Sequence, residues 1–131
     1  MNEVNFAEMT IQGGKIRTDN QHVEEIVSLW MKVPQLNLVG EVYAVYYNYE
    51  SDHTGKYDLL IGSTNNTCEE TVQLLPGKYL VVDVEKGTPE LIGAAWQTIW
   101  SNQEIYEQRA FTTDFERYLE DGSAKIYLAI K

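Results

Sequence analysis

A short run near the carboxyl end of the chain holds the residues best suited to binding chemistry, namely Asp114, Glu116 and Tyr118. They alternate with Phe115 and Arg117, and alternate residues of a strand share one face. A carboxylate among aromatic rings in a partly dry pocket attracts an organic cation, which is held by apolar contact, ring faces and one opposite charge. The run therefore predicts a cation-binding carboxylate at Glu116 or, alternatively, an exposed carboxylate paired with Arg117 or a cross-strand lysine.

The neighbours of Glu116 extend this prediction. We expect Asp114 in solvent near the start of the strand, although two carboxylates on one face could also raise one pKa or bind a dication. With an offset of 69 positions between two halves of the chain, Tyr118 corresponds to Tyr49 and Glu116 to Tyr47. Two related strands would then face one groove and form an aromatic cage with one charge. The alternative is that these tyrosines are ordinary cross-strand pairs.

The sequence lacks the other common catalytic and metal-binding patterns. His22 and His53 have no histidine four residues further on and no cysteine nearby, so we expect no metal site. The single cysteine, Cys68, cannot form a disulfide framework. No glycine-rich phosphate loop, nucleophile elbow or triad spacing occurs. We therefore expect no catalytic residue and no cofactor.

Two amphipathic helices are predicted to position the candidate residues. Asp19 or Asn20 can cap the first, and Pro34 ends it. Thr88 can cap the second, and Pro89 suits its first position. Apolar residues recur at helical spacing: Val23, Ile26, Val27, Trp30 and Met31 in the first helix, and Ile92, Ala95, Trp96, Ile99 and Trp100 in the second. We expect both stripes to pack on a sheet, with Trp30 in the core and at least one of the other tryptophans in helix-to-sheet packing.

The same unit occurs twice along the chain. Ile26 and Ile92 are separated by 66 positions, and so are Trp30 and Trp96. Each helix follows an extended segment and precedes a predicted hairpin: 5–12, 42–49 and 57–62 in the first half, and 71–84, 110–118 and 125–130 in the second. We predict one α+β domain over 1–131, a tandem β-α-β-β repeat with half-repeats 1–66 and 67–131, an antiparallel sheet and a ligand groove between the halves.

The composition limits the partners. The 131 residues include 20 acidic and 10 basic ones, a formal net charge of −10. Such a surface repels phosphate backbones and attracts cations, although negative charge also simply aids solubility. Nine tyrosines, three tryptophans and three phenylalanines supply aromatic surface. With no signal peptide and no long apolar span, we expect a cytoplasmic protein that binds neither membranes nor nucleic acid directly.

Several segments have the order and spacing of one known domain. They are YAVYYNYESD (43–52), GKY (55–57), IG (61–62), PGKY (76–79), WQTIW (96–100), DFERY (114–118) and IYLAI (126–130). Over nearly its whole length the chain thus resembles an AraC-type effector-binding (GyrI-like) domain. The resemblance implies two strand–helix–strand–strand modules with a ligand groove between them. It also implies Glu116 as the acidic residue used by members that bind lipophilic cations, and Trp96 as a groove wall.

In this family the domain usually follows a DNA-binding helix-turn-helix segment. Here we expect no DNA-binding domain of its own, as in stand-alone members, some carried on mobile gene cassettes, that bind cationic hydrophobic drugs. The resemblance therefore implies a non-enzymatic binder of amphipathic aromatic, cationic compounds. The expected ligand-binding residues are Tyr47, Tyr49, Trp96, Glu116 and Tyr118.

Two alternatives on the same fold stay open. Some relatives hydrolyse strained electrophilic rings with a groove tyrosine and a carboxylate, which here implies Tyr47 or Tyr118 with Glu116. Other relatives are gyrase-inhibitory proteins, which implies a role in protein interaction. A transcription regulator or another protein would then be the macromolecular partner.

Overall fold

The fold combines one sheet with a few helices. The computed structural model describes residues 2–64 and 67–131. Its strands are β1 (Asn2–Phe6), β2 (Met9–Thr18), β3 (Val42–Tyr47), β4 (Tyr57–Ser63), β5 (Glu70–Leu74), β6 (Gly77–Val84), β7 (Thr113–Tyr118) and β8 (Ala124–Ala129). Its helices are α1 (Val23–Lys32), a 3-10 turn (Val33–Leu36), α2 (Pro89–Trp100) and α3 (Gln103–Gln108). The expected α+β class is confirmed.

All eight strands form one antiparallel sheet in the order β1-β6-β8-β7-β3-β4-β2-β5. The order is symmetric about the β7–β3 pair, because β8 and β4, β6 and β2, and β1 and β5 occupy equivalent places. Each edge strand pairs with the other half of the chain, since β1 pairs with β6 and β5 with β2. The predicted boundary between half-repeats 1–66 and 67–131 adjoins residues 65 and 66, which lie outside the described residues, so that division stays a prediction.

Four features of the structure differ from the prediction. The segment 5–12 belongs to two strands, and so does 71–84. At each break the chain leaves one strand and enters another that pairs with different neighbours. Apolar alternation does not show which neighbour a strand pairs with. Helix α3, between α2 and β7, was not predicted. Helix α1 begins at Val23 after His22 with no side-chain cap, so the expected cap at Asp19 or Asn20 was wrong. The cap of α2 was right, because the Thr88 hydroxyl accepts a hydrogen bond from the backbone nitrogen of Leu91.

The sheet curls strongly. The rings of Phe6 on β1 and Phe115 on β7 have centroids 5.1 Å apart, although two strands separate β1 from β7. In a flat sheet those strands would lie roughly 14 Å apart. The curled face encloses an aromatic and aliphatic core. At the β2–β4 pairing, a Cβ on Gly13 would lie 1.9 Å from the Ile61 carbonyl oxygen, so only glycine permits this backbone approach.

The opposite face of the sheet carries the helices. Trp96 and Ile99 of α2 pack on the second half of the sheet, and Leu29 of α1 packs on the first half. The two helices therefore stand on either side of the central β3–β7 pair. They leave a gap above that pair, and the candidate site lies in it.

Candidate ligand-binding cavity

A cavity of about 840 Å³ lies between α1 and α2, above β3 and β7. Its apolar walls include Ile26 and Val27 from α1 and Pro89 and Ile92 from α2. This volume lies within the range of roughly 300–1,000 Å³ for small-molecule sites, which are mostly apolar with a few placed polar groups. The cavity therefore has the size and character of a binding site.

Glu116 forms the polar centre of the cavity floor. Its side chain is buried, with the residue 2% exposed. One carboxylate oxygen accepts hydrogen bonds from the Tyr46 hydroxyl at 2.8 Å and the Trp96 indole nitrogen at 2.6 Å. The other oxygen accepts a hydrogen bond from the Tyr118 hydroxyl. Three neutral donors thus hold the carboxylate, and none of the ion pairs of the described residues includes it.

The strand register places these donors. Glu116 lies opposite Ala44, whereas Tyr46 lies opposite Asp114. Because β3 and β7 run antiparallel, Tyr46 and Tyr118 approach the carboxylate from opposite sides along the sheet. The small side chain of Ala44 leaves the position directly opposite Glu116 free of bulk. The carboxylate is therefore fixed by the sheet itself rather than by a loop.

The electrostatics of this cluster follow from burial. Desolvation raises the pKa of Glu116 above its usual value, while the bonds from Tyr118, Trp96 and Tyr46 oppose that rise. Burial and the adjacent carboxylate raise the pKa values of Tyr46 and Tyr118 well above 10. The tyrosines therefore stay protonated donors at neutral pH. Ionised Glu116 has polar partners but no neighbouring positive charge to offset its desolvation.

Asp114 shares the sheet face of Glu116 but has a different environment. It is fully buried, and Arg109 donates to its carboxylate at 2.7 Å. The Tyr49 hydroxyl and the backbone nitrogen of Ala129 donate to it as well. The expectation that Asp114 lies in solvent was therefore wrong, because the helix α3 that brings Arg109 over the strand was not predicted.

The structure also corrects the position of Tyr47. Its side chain packs against the aromatic core on the opposite face of the sheet, and it does not line the cavity. Tyr49 does line the cavity. The prediction placed both on one face by strict alternation, but Asn48 between them has a left-handed backbone with φ 52°. Regular alternation in β3 already separates Tyr46 from Tyr47, and the break at Asn48 places Tyr49 on the cavity side with Tyr46.

All three tryptophans line the cavity. Trp96 donates to Glu116 and its ring lies against that of Tyr46, with centroids 5.5 Å apart. Trp100 stacks on Trp96 at 6.0 Å. Trp30 meets the ring of Tyr118 edge-on at 5.2 Å. Trp30 packs against the core cluster around Leu29, as expected, but it also lines the cavity, since α1 stands beside the gap instead of covering it.

Sequence reasoning missed several other cavity residues, among them Tyr46, His53, Tyr57 and Arg109. Tyr46 could have been found by shifting the alternation of β3 by one position, whereas Tyr57 is the first residue of β4. His53 lies between β3 and β4 and Arg109 directly follows α3, and no periodic pattern predicts where such connecting segments fold.

The described parts of the chain show no group of three or more His, Cys, Asp or Glu residues that could hold a metal ion. Within the same parts, no helix has the length and apolar character needed to cross a membrane.

Known proteins match the chain over nearly its whole length. The family model Cass2, described as integron-associated effector binding protein, matches residues 4–130. An integron cassette protein from the mobile metagenome of Vibrio cholerae is 28% identical, with a TM-score of 0.84 over 99% of this chain and 95% of its own. No curated protein sequence matches.

Two more distant structures share the fold. SAV2435 bound to tetraphenylphosphonium is 16% identical, with a TM-score of 0.78 over 99% of this chain and 93% of its own. A candidate bacterial transcription regulation protein from Staphylococcus aureus MU50 is 17% identical, with a TM-score of 0.76 over 99% of this chain and 97% of its own.

Proposed function

The chain belongs to the family of integron-associated effector-binding proteins, and on that premise we propose that it binds amphipathic aromatic cations in the cavity around Glu116 without transforming them. The family confirms the sequence-based resemblance to effector-binding domains. The proposed ligand-binding residues are Glu116, Tyr49, Trp96 and Tyr118, together with Tyr46 in place of Tyr47.

One observation supports this proposal most directly. Asp114 and Glu116 lie two residues apart on one strand face and are both buried, but only Asp114 has a cationic partner. A carboxylate that serves the fold alone is normally paired when buried. Glu116 instead faces a cavity large enough for a ligand. A bound cation would supply the opposite charge that Glu116 lacks among the described residues.

The surroundings of Glu116 favour an aromatic and amphipathic guest. Tyr46, Trp96 and Tyr118 present ring surface around the carboxylate, and ring faces attract cations. The helix walls add aliphatic surface, which rewards apolar groups on the same molecule. The fold neighbour SAV2435 was solved with tetraphenylphosphonium bound, a cation surrounded by four phenyl rings, and this supports the same ligand class here.

The same geometry argues against the hydrolytic alternative. Tyr47, one of its two candidate tyrosines, lies on the other face of the sheet. The raised pKa of Tyr118 disfavours the phenolate that a nucleophile or base would need. We therefore propose binding without turnover. A ligand recovered chemically unchanged after prolonged incubation with the protein is the expected outcome.

We further propose that the small molecule is the direct partner and that nucleic acid is not. The net charge of −10 opposes contact with a phosphate backbone. A transcription regulator or a gyrase-type protein partner would act in addition to ligand binding. Co-elution of such a protein that is unaffected by ligand in the cavity would favour the interaction role. A cytoplasmic location stays a prediction of the sequence.

The test compares two ions of nearly the same shape by isothermal titration calorimetry. We expect tetraphenylphosphonium to bind and tetraphenylborate, its anionic counterpart, not to bind. Glu116→Gln should weaken binding of the cation by about 1–3 kcal/mol, as for loss of one charged partner. The control is Glu120→Gln, which removes the same charge from an exposed turn residue and should leave the affinity unchanged. Equal affinity of wild type and Glu116→Gln for the cation would overturn the proposal.

A further inference from the structure

We propose that the cavity has a second subsite, formed by His53, Trp100 and Arg109, which takes an uncharged oxygen acceptor such as a ketone or ester carbonyl on the same ligand. This inference rests on the proposed function, because it narrows the ligand class of the same cavity. The ligand would carry its positive charge near Glu116 and its acceptor at the other end.

Three nitrogen atoms at this end lack hydrogen-bond partners among the described residues. They are Arg109 Nε, Trp100 Nε1 and His53 Nδ1, and each is shielded from solvent. All three residues line the cavity, and Arg109 is only 2% exposed. An N–H group removed from water without an acceptor costs about 1–3 kcal/mol. Because neighbouring side chains cover these nitrogens, a guest whose acceptor displaces that cover would remove the cost.

The type of group follows from hydrogen-bonding capacity. An indole N–H and a guanidinium Nε–H can only donate, so at least two of the three nitrogens need an acceptor. The third, on His53, serves as donor or acceptor according to its tautomer. An acceptor oxygen is therefore the complementary ligand atom, whereas a second cation or an amine would face donors.

The charge at this end selects an uncharged acceptor. The guanidinium of Arg109 is neutralised by Asp114 at 2.7 Å. Burial, together with repulsion from Arg109, lowers the pKa of His53 below 6.5 against the attraction of Asp52, so the ring is neutral at pH 7. A ligand carboxylate would lose its hydration here with no spare positive charge to meet it. A carbonyl oxygen loses much less.

Helix α2 and its stacked rings set the distance between the two subsites. Trp96 donates to Glu116, and Trp100 follows four residues later, about 6 Å further along the helix axis. The Trp100 ring stacks on Trp96, and His53 stacks on Trp100 with centroids 5.7 Å apart and planes inclined by 10°. A flat aromatic ligand lying along these rings would carry its acceptor about one helical turn from its charge.

Arg109 is itself held in place at this end. Its guanidinium lies 4.3 Å from the ring centroid of Phe111, and Phe111 has a left-handed backbone with φ 53°. Bulky residues rarely adopt that conformation. Contacts of Phe111 with Tyr49, His53 and Tyr106 accompany it. Arg109 therefore lies on a segment that is packed against aromatic rings.

Two cationic dyes that share one xanthylium cation provide the test. Tetramethylrosamine lacks an acceptor on its phenyl ring, and tetramethylrhodamine methyl ester carries an ester there. We expect fluorescence anisotropy to show about threefold to tenfold tighter binding of the ester to wild type, the range of one hydrogen bond. Trp100→Phe keeps a ring but loses the N–H and should abolish this ratio. Trp30→Phe, the matched control on the opposite wall, should change both affinities by one common factor.

The outcomes separate the two proposals. If both dyes bind wild type equally, or if Trp100→Phe keeps the ratio, the acceptor subsite is wrong while cation binding stands. If the free acid tetramethylrhodamine binds more tightly than the ester, the subsite prefers an anionic ligand group, and the proposal of an uncharged acceptor is wrong. If neither dye binds and Glu116→Gln has no effect on tetraphenylphosphonium, the proposed function itself fails.

Discussion

Phe115 and Glu116 are consecutive residues of β7, almost equally buried, and they face opposite sides of the sheet. Phe115 stacks on Tyr127 with centroids 4.4 Å apart and also contacts Phe6, Tyr43 and Tyr79. On that face the curled sheet closes on itself and aromatic rings fill the interior. On the face of Glu116, the helices stand apart and the rings surround an open cavity.

This difference shows how one aromatic-rich composition serves two purposes. Rings that meet other rings within a closed sheet stabilise the fold through burial and edge contacts. Rings that surround the carboxylate and the cavity have the proposed role of binding a guest. The side of the sheet therefore decides the role of each aromatic residue, and the predictions below test that division from the largest expected effect to the smallest.

The core face should carry most of the stability. Phe115→Ala removes a fully buried ring and should lower the free energy of unfolding by about 3–5 kcal/mol, because it leaves a cavity among the remaining aromatic residues. Urea denaturation followed by circular dichroism measures this. Val39→Ala, at an exposed position, is the control and should cost less than about 0.5 kcal/mol. A loss below about 1 kcal/mol at Phe115 would contradict the assigned role of this face.

The two carboxylates of the cavity face should differ in stability. Asp114→Asn leaves Arg109 buried without its opposite charge and should cost about 3–5 kcal/mol. Glu116→Gln leaves no unpaired cation, so its effect on unfolding should stay below about 1 kcal/mol. The same denaturation experiment compares both. Equal losses for the two substitutions would mean that Glu116 is a structural carboxylate.

Acid should weaken cation binding through Glu116. Its pKa is raised by burial, and a cation requires the ionised form, so affinity for tetraphenylphosphonium should fall as pH decreases through the raised pKa. At full protonation the loss should approach that of Glu116→Gln, about 1–3 kcal/mol. Calorimetry at several pH values measures it.

Glu116→Gln is the control for this titration, because it retains His53 and every other titrating group. Without ligand, the free energy of unfolding depends on pH in the opposite direction to the affinity. A raised pKa in the folded state stabilises the protein below the unfolded pKa, and this contribution is lost as pH rises through the folded pKa. Wild type should therefore lose stability relative to Glu116→Gln as pH increases. A pH dependence of affinity that is the same in both proteins would exclude Glu116 as its source.

The smallest expected effect distinguishes two adjacent tyrosines. Tyr46→Phe removes one donor to Glu116 and should change cation affinity by about 0.5–1.5 kcal/mol. Tyr47→Phe removes the same hydroxyl on the other face of the sheet and should leave the affinity unchanged. Dye anisotropy resolves both. An effect at Tyr47 without one at Tyr46 would restore the strict alternation expected from the sequence.

The sequence by itself determined a substantial part of this protein. The apolar spacing of both helices, the cap at Thr88 and the hairpin strands are local properties, because they depend on neighbours within a few residues. The alternation of 114–118 also placed Glu116 and Tyr118 on one face, as the structure has them. The ordered motifs 43–52, 96–100 and 114–118 identified the effector-binding family.

Only the tertiary structure decided which partners these residues meet. The register of β3 with β7 placed Tyr46 beside Glu116 and Tyr47 on the other face. The left-handed Asn48 then brought Tyr49 back to the cavity side, and alternation alone predicts neither. Helix α3 placed Arg109 against Asp114, five residues further along the chain, and not against Glu116, seven residues further along. Long-range packing sets such pairings, since strand partners and connecting segments come together from distant positions. For that reason the sequence supplied the carboxylate, and the fold left it without a positive charge.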